Sequence, residues 1–172
     1  LYMENQFLDV PEIIAALRGA VARGVETVVL MPAESDAAVR TAVSPERAAA
    51  LAQRAELGQF ENFTLAGIAG RGSEGPRHPV YVHAKLMIID DTWATVGSCN
   101  LHHYSLFGNT ELNVAFSDEP TVRQLRDALL GEHLELDTTG MDGVAALRLL
   151  RETACENARR RSIHAPAWQG LV

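Results

Sequence analysis

The chain has 172 residues, of which 47% are apolar and 22% are charged, and its formal net charge is -7. These values are close to those of globular domains, so they exclude a disordered chain, and the length suits one domain with a single core. No apolar run approaches the roughly 20 residues that a membrane-spanning helix needs. The negative charge disfavours nucleic acid as a partner, because nucleic-acid affinity comes mostly from cationic side chains.

Three features bear on where the protein is located. Cys99 and Cys155 are too few for a disulfide framework, which favours a reducing compartment. The N-terminus lacks a basic region followed by a long apolar stretch, so no signal peptide is visible. Leu1 is not a Met and the chain begins inside a predicted strand, so we expect an N-terminal truncation. We expect a protein of the cytoplasm or of the membrane periphery.

The first half of the chain predicts a βαβ unit followed by a helix and a third strand. A cap by Asp9 and the ring of Pro11 predict the start of the first helix, and Gly24 predicts its end. Ser44 and Pro45 predict the start of the second helix in the same way. The predicted elements are a strand at 1–4, a helix at 11–23, a strand at 25–31, a helix at 45–57, a strand at 63–69 and a loop at 70–76.

The second half predicts a hairpin, a further strand and two helices. Strands at 80–89 and 93–96 flank a turn that contains Asp90, and a strand follows at 111–116. Asp118 and Pro120 predict a helix that runs to about residue 136, and a last helix covers 144–161. We predict an α/β fold in which helices flank a mixed β-sheet. The whole of 1–172 is interpreted as one domain, with a core at 1–136 and a C-terminal helical extension at 143–161.

The predicted strand 80–89 carries two polar side chains that the fold does not explain. His83 and Lys85 are one residue apart, so in a strand both side chains point to the same face. Ala84 and the residues that follow Lys85 are apolar, and polar groups in such surroundings need partners or a ligand. Lys85 is also the single lysine of the chain. This pair is therefore the first candidate for a functional site.

More polar groups follow the hairpin. Gly97 allows a close approach of the backbone, and Ser98 and Asn100 add a hydroxyl and a carboxamide just past the strand end. An imidazole, an ammonium, a hydroxyl and an amide are what a phosphodiester site needs, since together they supply a nucleophile or proton carrier and donors for phosphate oxygens.

No metal or other cofactor is predicted. The adjacent residues His102 and His103 face apart, so they are interpreted as surface or substrate-pocket side chains rather than as metal ligands. The charge stabilisation that a metal cation would supply is assigned instead to Lys85 and a counterpart.

The spacing His83-x-Lys85-x4-Asp90-x6-Gly97-Ser98-x-Asn100 resembles the HKD motif of the phospholipase D superfamily. Residues 2–7 look like the Tyr-Ile-Glu-Asn-Gln-Phe segment that precedes the second HKD motif in two-motif phospholipases. Residues 125–134 resemble the C-terminal helix of those enzymes. The resemblance covers the chain to about residue 136 and implies a phospholipase D-like fold, as the C-terminal half of a two-lobed phospholipase D or cardiolipin synthase-like enzyme.

The resemblance implies a mechanism with two histidines at one site. One histidine attacks phosphorus to form a phosphohistidine, and the other protonates the leaving alcohol and then activates water. In a second motif, His83 takes the acid–base role. The resemblance implies that Lys85, Asn100 and Ser98 bind the phosphoryl oxygens.

The resemblance also brings two carboxylates to the site. Glu111 occupies the place of a family carboxylate that orients the motif histidine, so we predict a hydrogen bond from Glu111 to His83. Asp90 completes the motif as a catalytic candidate, although its place in a hairpin turn favours a structural role.

The implied activity is that of a phosphodiesterase or phosphatidyltransferase acting on glycerophospholipids at a peripheral membrane surface. The expected partner is an N-terminal HKD half of the same protein or a second copy of the chain, because the chain has one His-x-Lys pair. We therefore expect the isolated monomer to be folded but nearly inactive. The alternatives are a homodimeric single-motif nuclease and a catalytically silent HKD interaction domain.

Overall fold

A computed structural model describes residues 1–33, 44–70, 77–163 and 168–172, so most of the predicted loop 70–76 lies outside the described residues. The elements of the first half are β1 (Tyr2–Asn5), α1 (Pro11–Ala22), β2 (Thr27–Leu30), α2 (Pro45–Leu57), β3 (Phe63–Ala66), β4 (Ala69–Gly70) and β5 (His78–Pro79). Those of the second half are β6 (Lys85–Ile89), β7 (Trp93–Gly97), α3 (His103–Phe107), β8 (Asn113–Phe116), α4 (Glu119–Leu134) and α5 (Gly143–Ser162).

A six-stranded sheet in the order β3-β2-β1-β6-β7-β8 forms the centre of the fold. The first three strands are parallel, while β6, β7 and β8 are each antiparallel to the preceding neighbour in that order. The prediction of a mixed sheet flanked by helices is therefore confirmed. Because of this arrangement, the ends of β1 and β7 lie at the same end of the sheet as the starts of β6 and β8. We call this the Lys85 end; it is formed by Asn5, Lys85, Gly97 and Asn113.

Each face of the sheet packs against its own pair of helices, because side chains alternate along a strand. On one face, Tyr2, Val28 and Ile88 pack with apolar residues of α4 and α5. On the other, Met3 and Val29 pack with apolar residues of α1 and α2. No helix within the described residues is long and apolar enough to cross a membrane.

In the first half of the chain, α1 and α2 both have a proline in the first turn, but their caps differ. For α2 the prediction is confirmed, since the Ser44 hydroxyl accepts a hydrogen bond from the Arg47 amide at 3.2 Å. For α1 the predicted cap by Asp9 is wrong, because Val10 occupies the N-cap position and no side chain caps the helix. The Asp9 carboxylate bonds other side chains instead, and Pro11 alone marks the first turn.

Two strands around the Lys85 end are shorter than predicted. The predicted strand 80–89 begins only at Lys85, because β1 ends at the Lys85 partner Asn5 and leaves the preceding residues without a neighbouring strand. Likewise β8 begins at Asn113, which pairs with Gly97 at the end of β7. His83 and residue 111 therefore lie in irregular segments, and the alternation of side chains along a strand does not relate His83 to Lys85.

Candidate active site

Lys85 is a buried charged group at the Lys85 end, with 8% of its surface exposed. Its Nζ donates a hydrogen bond to the main-chain oxygen of His83 at 2.7 Å. Burial lowers the pKa of the Lys85 ammonium, and the nearby negative charge of Glu111 opposes that lowering. Within the described part of the chain the ammonium bonds a carbonyl rather than a carboxylate, so its positive charge is not neutralised by an ion pair.

The His83 ring lies outside β6 and is exposed to solvent. It stacks on the ring of Tyr81, with 6.3 Å between centroids and 26° between the planes. The Tyr81 hydroxyl accepts a hydrogen bond from Gln6 Nε2 at 2.7 Å, so the segment after β1 fixes the aromatic ring that His83 contacts. The imidazole is thus solvent-exposed and belongs to the segment that leads into Lys85.

Glu111 belongs to the same site but not through the predicted contact. Its carboxylate accepts a hydrogen bond from Ser98 Oγ at 2.5 Å. Hydrogen bonds from Ser98 and Ser105 lower the pKa of Glu111, and the Lys85 charge contributes in the same direction. Among the described residues no hydrogen bond joins Glu111 to His83, because the His83 ring turns to Tyr81 and the loop before β8 brings Glu111 to Ser98.

Gly97 is required where β7 enters the motif loop. A Cβ at this position would clash with Asn113 Oδ1 and with the main-chain oxygen of Leu112. The expected close backbone approach is therefore confirmed. The same Asn113 oxygen accepts a hydrogen bond from the Cys99 amide at 3.2 Å, and the Ser98 amide donates to Leu112 at 3.0 Å. These contacts hold the motif loop against the start of β8.

Asn100 has hydrogen-bonding capacity that the fold does not use. Its side-chain oxygen is buried and has no hydrogen-bond partner within the described residues. The next residue is fixed by β1, since the Leu101 amide donates to Asn5 Oδ1 at 3.1 Å. Because buried polar groups are usually satisfied, an open carboxamide beside a fixed loop is a candidate for ligand binding.

Asp90 lies far from the other predicted site residues. It and Asp91 adopt positive φ values, 52° and 57°, in the turn that ends β6. The Thr92 amide closes that turn with a 3.1 Å hydrogen bond to Ile89. Five residue steps along an extended strand separate Asp90 from Lys85 by about 16 Å. The structure thus brings together Lys85, Ser98 and Glu111, and leaves Asp90 at the opposite end.

Two carboxylate–histidine pairs near the Lys85 end were not predicted. His133 Nε2 lies 3.0 Å from Glu4 Oε1, which also accepts a hydrogen bond from the Tyr2 hydroxyl at 2.5 Å. Burial and the Glu4 charge raise the pKa of Tyr2 well above its ordinary value. The second pair joins His102 to Asp9 at 2.7 Å. His133 gave no usable sequence signal, and neither pair has a fixed spacing that would have revealed it.

Within the residues that the structure describes, no group of three or more His, Cys, Asp or Glu side chains is arranged to hold a metal ion. The chain itself supplies these charged and polar groups to the site: the Lys85 ammonium, the His83 imidazole, the Asn100 carboxamide and the Ser98–Glu111 pair. This set can bind an anion and move a proton.

Comparison with known proteins gives a family match over most of the chain. A family described as "Cardiolipin synthase, PLD-like domain" matches residues 1–131. The probable cardiolipin synthase YwiE of Bacillus subtilis is 31% identical over 119 residues, which are 69% of this chain and 21% of the relative. Cardiolipin synthase B of Escherichia coli is 48% identical over 50 residues, 29% of this chain and 12% of that protein. The chain thus spans about a fifth or less of the length of these relatives.

Among solved structures, NucT from Helicobacter pylori is similar in fold, with a TM-score of 0.56. The match covers 74% of each chain at 16% sequence identity. At this identity the similarity concerns the fold alone.

Proposed function

This chain belongs to the phospholipase D superfamily, and we propose that it takes part in phosphodiester hydrolysis or transfer on glycerophospholipids. The observation that carries the proposal is the state of Lys85, a buried ammonium with no carboxylate bonded to it. A buried charge without a counter-ion is costly unless a ligand compensates it. The ligand that fits is an anion, and the neighbouring Asn100 carboxamide has capacity for the same ligand.

In this proposal the phosphodiester lies over the Lys85 end of the sheet. The Lys85 ammonium and the Asn100 carboxamide bind its non-bridging oxygens and stabilise the charge that grows on them in the transition state. The Ser98 hydroxyl donates to Glu111 when no substrate is bound, and it exchanges that partner for a phosphoryl oxygen. Glu111 also lies near enough to Lys85 to act on it electrostatically, and its charge opposes the lowering of the Lys85 pKa by burial.

His83 is the proton carrier of the proposed reaction. A second histidine attacks phosphorus, the bond from phosphorus to the alcohol oxygen breaks, and His83 gives that oxygen its proton. In the second step His83 takes a proton from water or from an accepting alcohol, whose oxygen attacks phosphorus while the phosphorus–nitrogen bond breaks. The exposed position of the His83 ring supports this role, because the ring must reach both the substrate and the solvent.

Two observations support a lipid as the substrate. The relatives YwiE and cardiolipin synthase B are named as enzymes of lipid synthesis. Large apolar side chains also stand exposed beside the site: Tyr104 and Phe107 are 66% and 63% exposed on α3, and Leu112 is 76% exposed next to Glu111. Exposed apolar side chains grouped around a site are typical of protein or membrane contacts. Here they suit acyl chains that extend from a bound phosphate.

The test is the effect of His83→Ala on turnover by the assembled protein, in which a second motif completes the site. We expect a loss of at least about 10²-fold, because a positioned acid–base group contributes that much or more. His78→Ala, which removes another exposed histidine from β5, is the matched control and should retain activity. Release of the head group from phosphatidylglycerol vesicles and hydrolysis of bis(p-nitrophenyl) phosphate are measured in parallel. Normal turnover by His83→Ala would refute the proposal; turnover of the chromogenic diester alone would refute the lipid substrate.

The source of the second histidine is tested by dilution. The chain has one His-x-Lys pair, so we propose that a second motif completes the site, from elsewhere in the same protein or from a second copy. If two copies share the site, specific activity falls as the protein is diluted through the dissociation range. If both motifs belong to one polypeptide, specific activity stays constant. Full activity of this chain as a demonstrated monomer would contradict the two-histidine mechanism.

A further inference from the structure

The Asp9–His102 pair lies beside the proposed site and has no part in the mechanism described so far. His102 Nδ1 lies 2.7 Å and 2.9 Å from the two carboxylate oxygens of Asp9. The same carboxylate accepts a hydrogen bond from Arg47 Nε at 2.8 Å, and only 2% of the Asp9 side chain is exposed. A buried carboxylate held by two partners is a rigid support for the imidazole ring.

The main chain places His102 next to the Lys85 end of the sheet. Its neighbour Leu101 donates its amide to Asn5 Oδ1, and Asn5 is paired with Lys85 across β1 and β6. The His102 ring is also two residues past Asn100 in the motif loop. It lies between two aromatic rings, with centroids 4.9 Å from Phe7 and 5.6 Å from Tyr104. Both its backbone and its ring are therefore fixed close to the proposed phosphate site.

One nitrogen of the ring remains available. The His102 side chain is 23% exposed, and Nε2 makes no hydrogen bond within the described residues. When a carboxylate accepts the proton of Nδ1, the tautomer is fixed and Nε2 carries a lone pair. An imidazole in this state accepts a hydrogen bond at Nε2. In this neutral tautomer, the ligand that fits Nε2 presents an O–H or N–H group, which a phosphate diester oxygen does not have.

We infer that His102 binds a hydroxyl group of the alcohol part of the substrate, either the head group that leaves or the alcohol that accepts the phosphatidyl group. The ligand class is a polyol such as a glycerol head group. This inference rests on the proposed function, because it assumes a phosphodiester bound at Lys85. It adds that the alcohol lies on the His102 side of the phosphate and that His102 selects alcohols with a further hydroxyl.

The deciding experiment compares two soluble short-chain lipids of equal charge. Dihexanoyl phosphatidylglycerol has two free hydroxyls in its head group, and dihexanoyl phosphatidylpropanol has none. The chain is labelled with ¹⁵N and titrated with each lipid, and the resonances of His102 Nε2 and of the Ser98 amide are followed. We expect both lipids to shift the Ser98 signal, whereas only the glycerol lipid shifts His102 Nε2.

His102→Ala should raise the Kd of the glycerol lipid about two- to tenfold, the usual effect of losing one neutral hydrogen bond, and leave the propanol lipid unaffected. His103→Ala, at the adjacent exposed position, is the matched control and should change neither Kd. His102→Gln keeps an acceptor on the side chain and should restore part of the discrimination.

The outcomes separate the inference from the proposed function. If both lipids shift Ser98 and neither shifts His102, or if His102→Ala weakens both lipids equally, the inference is overturned and the phosphodiester site stands. If neither lipid shifts Ser98 or His102, the lipid site itself is absent, and the inference is overturned with it. Selective loss of the glycerol lipid in His102→Ala, with His103→Ala unchanged, supports the inference.

Discussion

The segment that begins with β1 supplies a carboxylate to two different histidines, and the two pairs contrast in their surroundings. Glu4 and His133 are both almost completely buried, and their side chains expose 8% and 5% of their surface between the sheet and the core formed with α4 and α5. The Asp9 side chain is also buried, with 2% exposed, but its partner His102 is 23% exposed and lies in the motif loop. The two pairs have the same chemistry, yet only one has an imidazole that solvent or a ligand can reach.

This contrast indicates what each pair does. The Glu4 carboxylate is hydrogen-bonded to the Tyr2 hydroxyl and to the His133 ring. The contact with His133 joins β1 to the last turn of α4 within the core. A buried pair of this kind is costly to break, since removing one partner leaves the other charge or dipole without compensation. The Asp9 carboxylate is closed off in a similar way by Arg47, but it leaves one ring nitrogen of His102 for another molecule. Burial of the histidine, rather than the pairing itself, separates the Glu4–His133 pair from the pair to which we assign a ligand.

The largest effect is expected from His133→Ala. Loss of the ring leaves the buried Glu4 carboxylate with a single hydroxyl donor, and we expect the free energy of unfolding to fall by about 3–5 kcal/mol. His102→Ala is the matched variant of the Asp9–His102 pair. It should lower the free energy of unfolding by less than about 1 kcal/mol, because water can replace the partly exposed ring. Urea denaturation followed by circular dichroism measures both. Equal losses would show that the two pairs stabilise the fold to the same degree.

The second-largest effect is expected from a change of Lys85, at the Lys85 end of the sheet. Lys85→Met keeps an unbranched side chain and removes the charge, so we expect turnover to fall by about 10²-fold, or roughly 2.7 kcal/mol of transition-state stabilisation. The free energy of unfolding should change little or rise, because the buried ammonium has no ion pair to lose. Turnover and urea denaturation are measured on the same preparation of the assembled protein, in which a second motif completes the site. A large loss of stability with normal turnover would assign Lys85 to the fold instead of the site.

The smallest expected effect is the pH dependence of the stability that the Glu4–His133 pair contributes. Burial alone would raise the pKa of Glu4, but hydrogen bonds from His133 and Tyr2 outweigh it and lower the pKa below the ordinary value of 4.5. The depressed pKa stabilises the fold above that ordinary value, and this stabilisation is lost as the pH falls through the folded-state pKa. Glu4→Gln should cost about 1.5 kcal/mol near neutral pH, and the difference from the wild type should shrink in acid. Denaturation curves at several pH values test this, and a difference that grows in acid would reverse the assigned sign.

Much of the fold follows from the sequence because its signals are local. Proline and a capping hydroxyl at Ser44 predicted the start of α2, and apolar periodicity predicted the long helices and the inner strands. The family motif is also a local signal, because it depends on the spacing of residues along the chain. It predicted Lys85, Ser98 and Asn100 as site residues. The predicted first residues of β6 and β8 were wrong, since these strands begin at Lys85 and Asn113. A strand extends only as far as the neighbouring strand that it pairs with, and the residues of the strand itself do not encode where that neighbour ends.

The amino-acid sequence by itself determined the family, the order of the elements and the residue types of the site. The tertiary structure alone decided which of these residues meet. It placed Asp90 in the turn at the far end of β6 from Lys85. It paired Glu111 with Ser98 instead of His83 through a hydrogen bond, and it brought Asp9 to His102 across 93 residues of sequence. The physical reason is that hydrogen bonds and ion pairs act over a few ångströms of space, while the distance between two residues along the chain places almost no limit on whether they come that close.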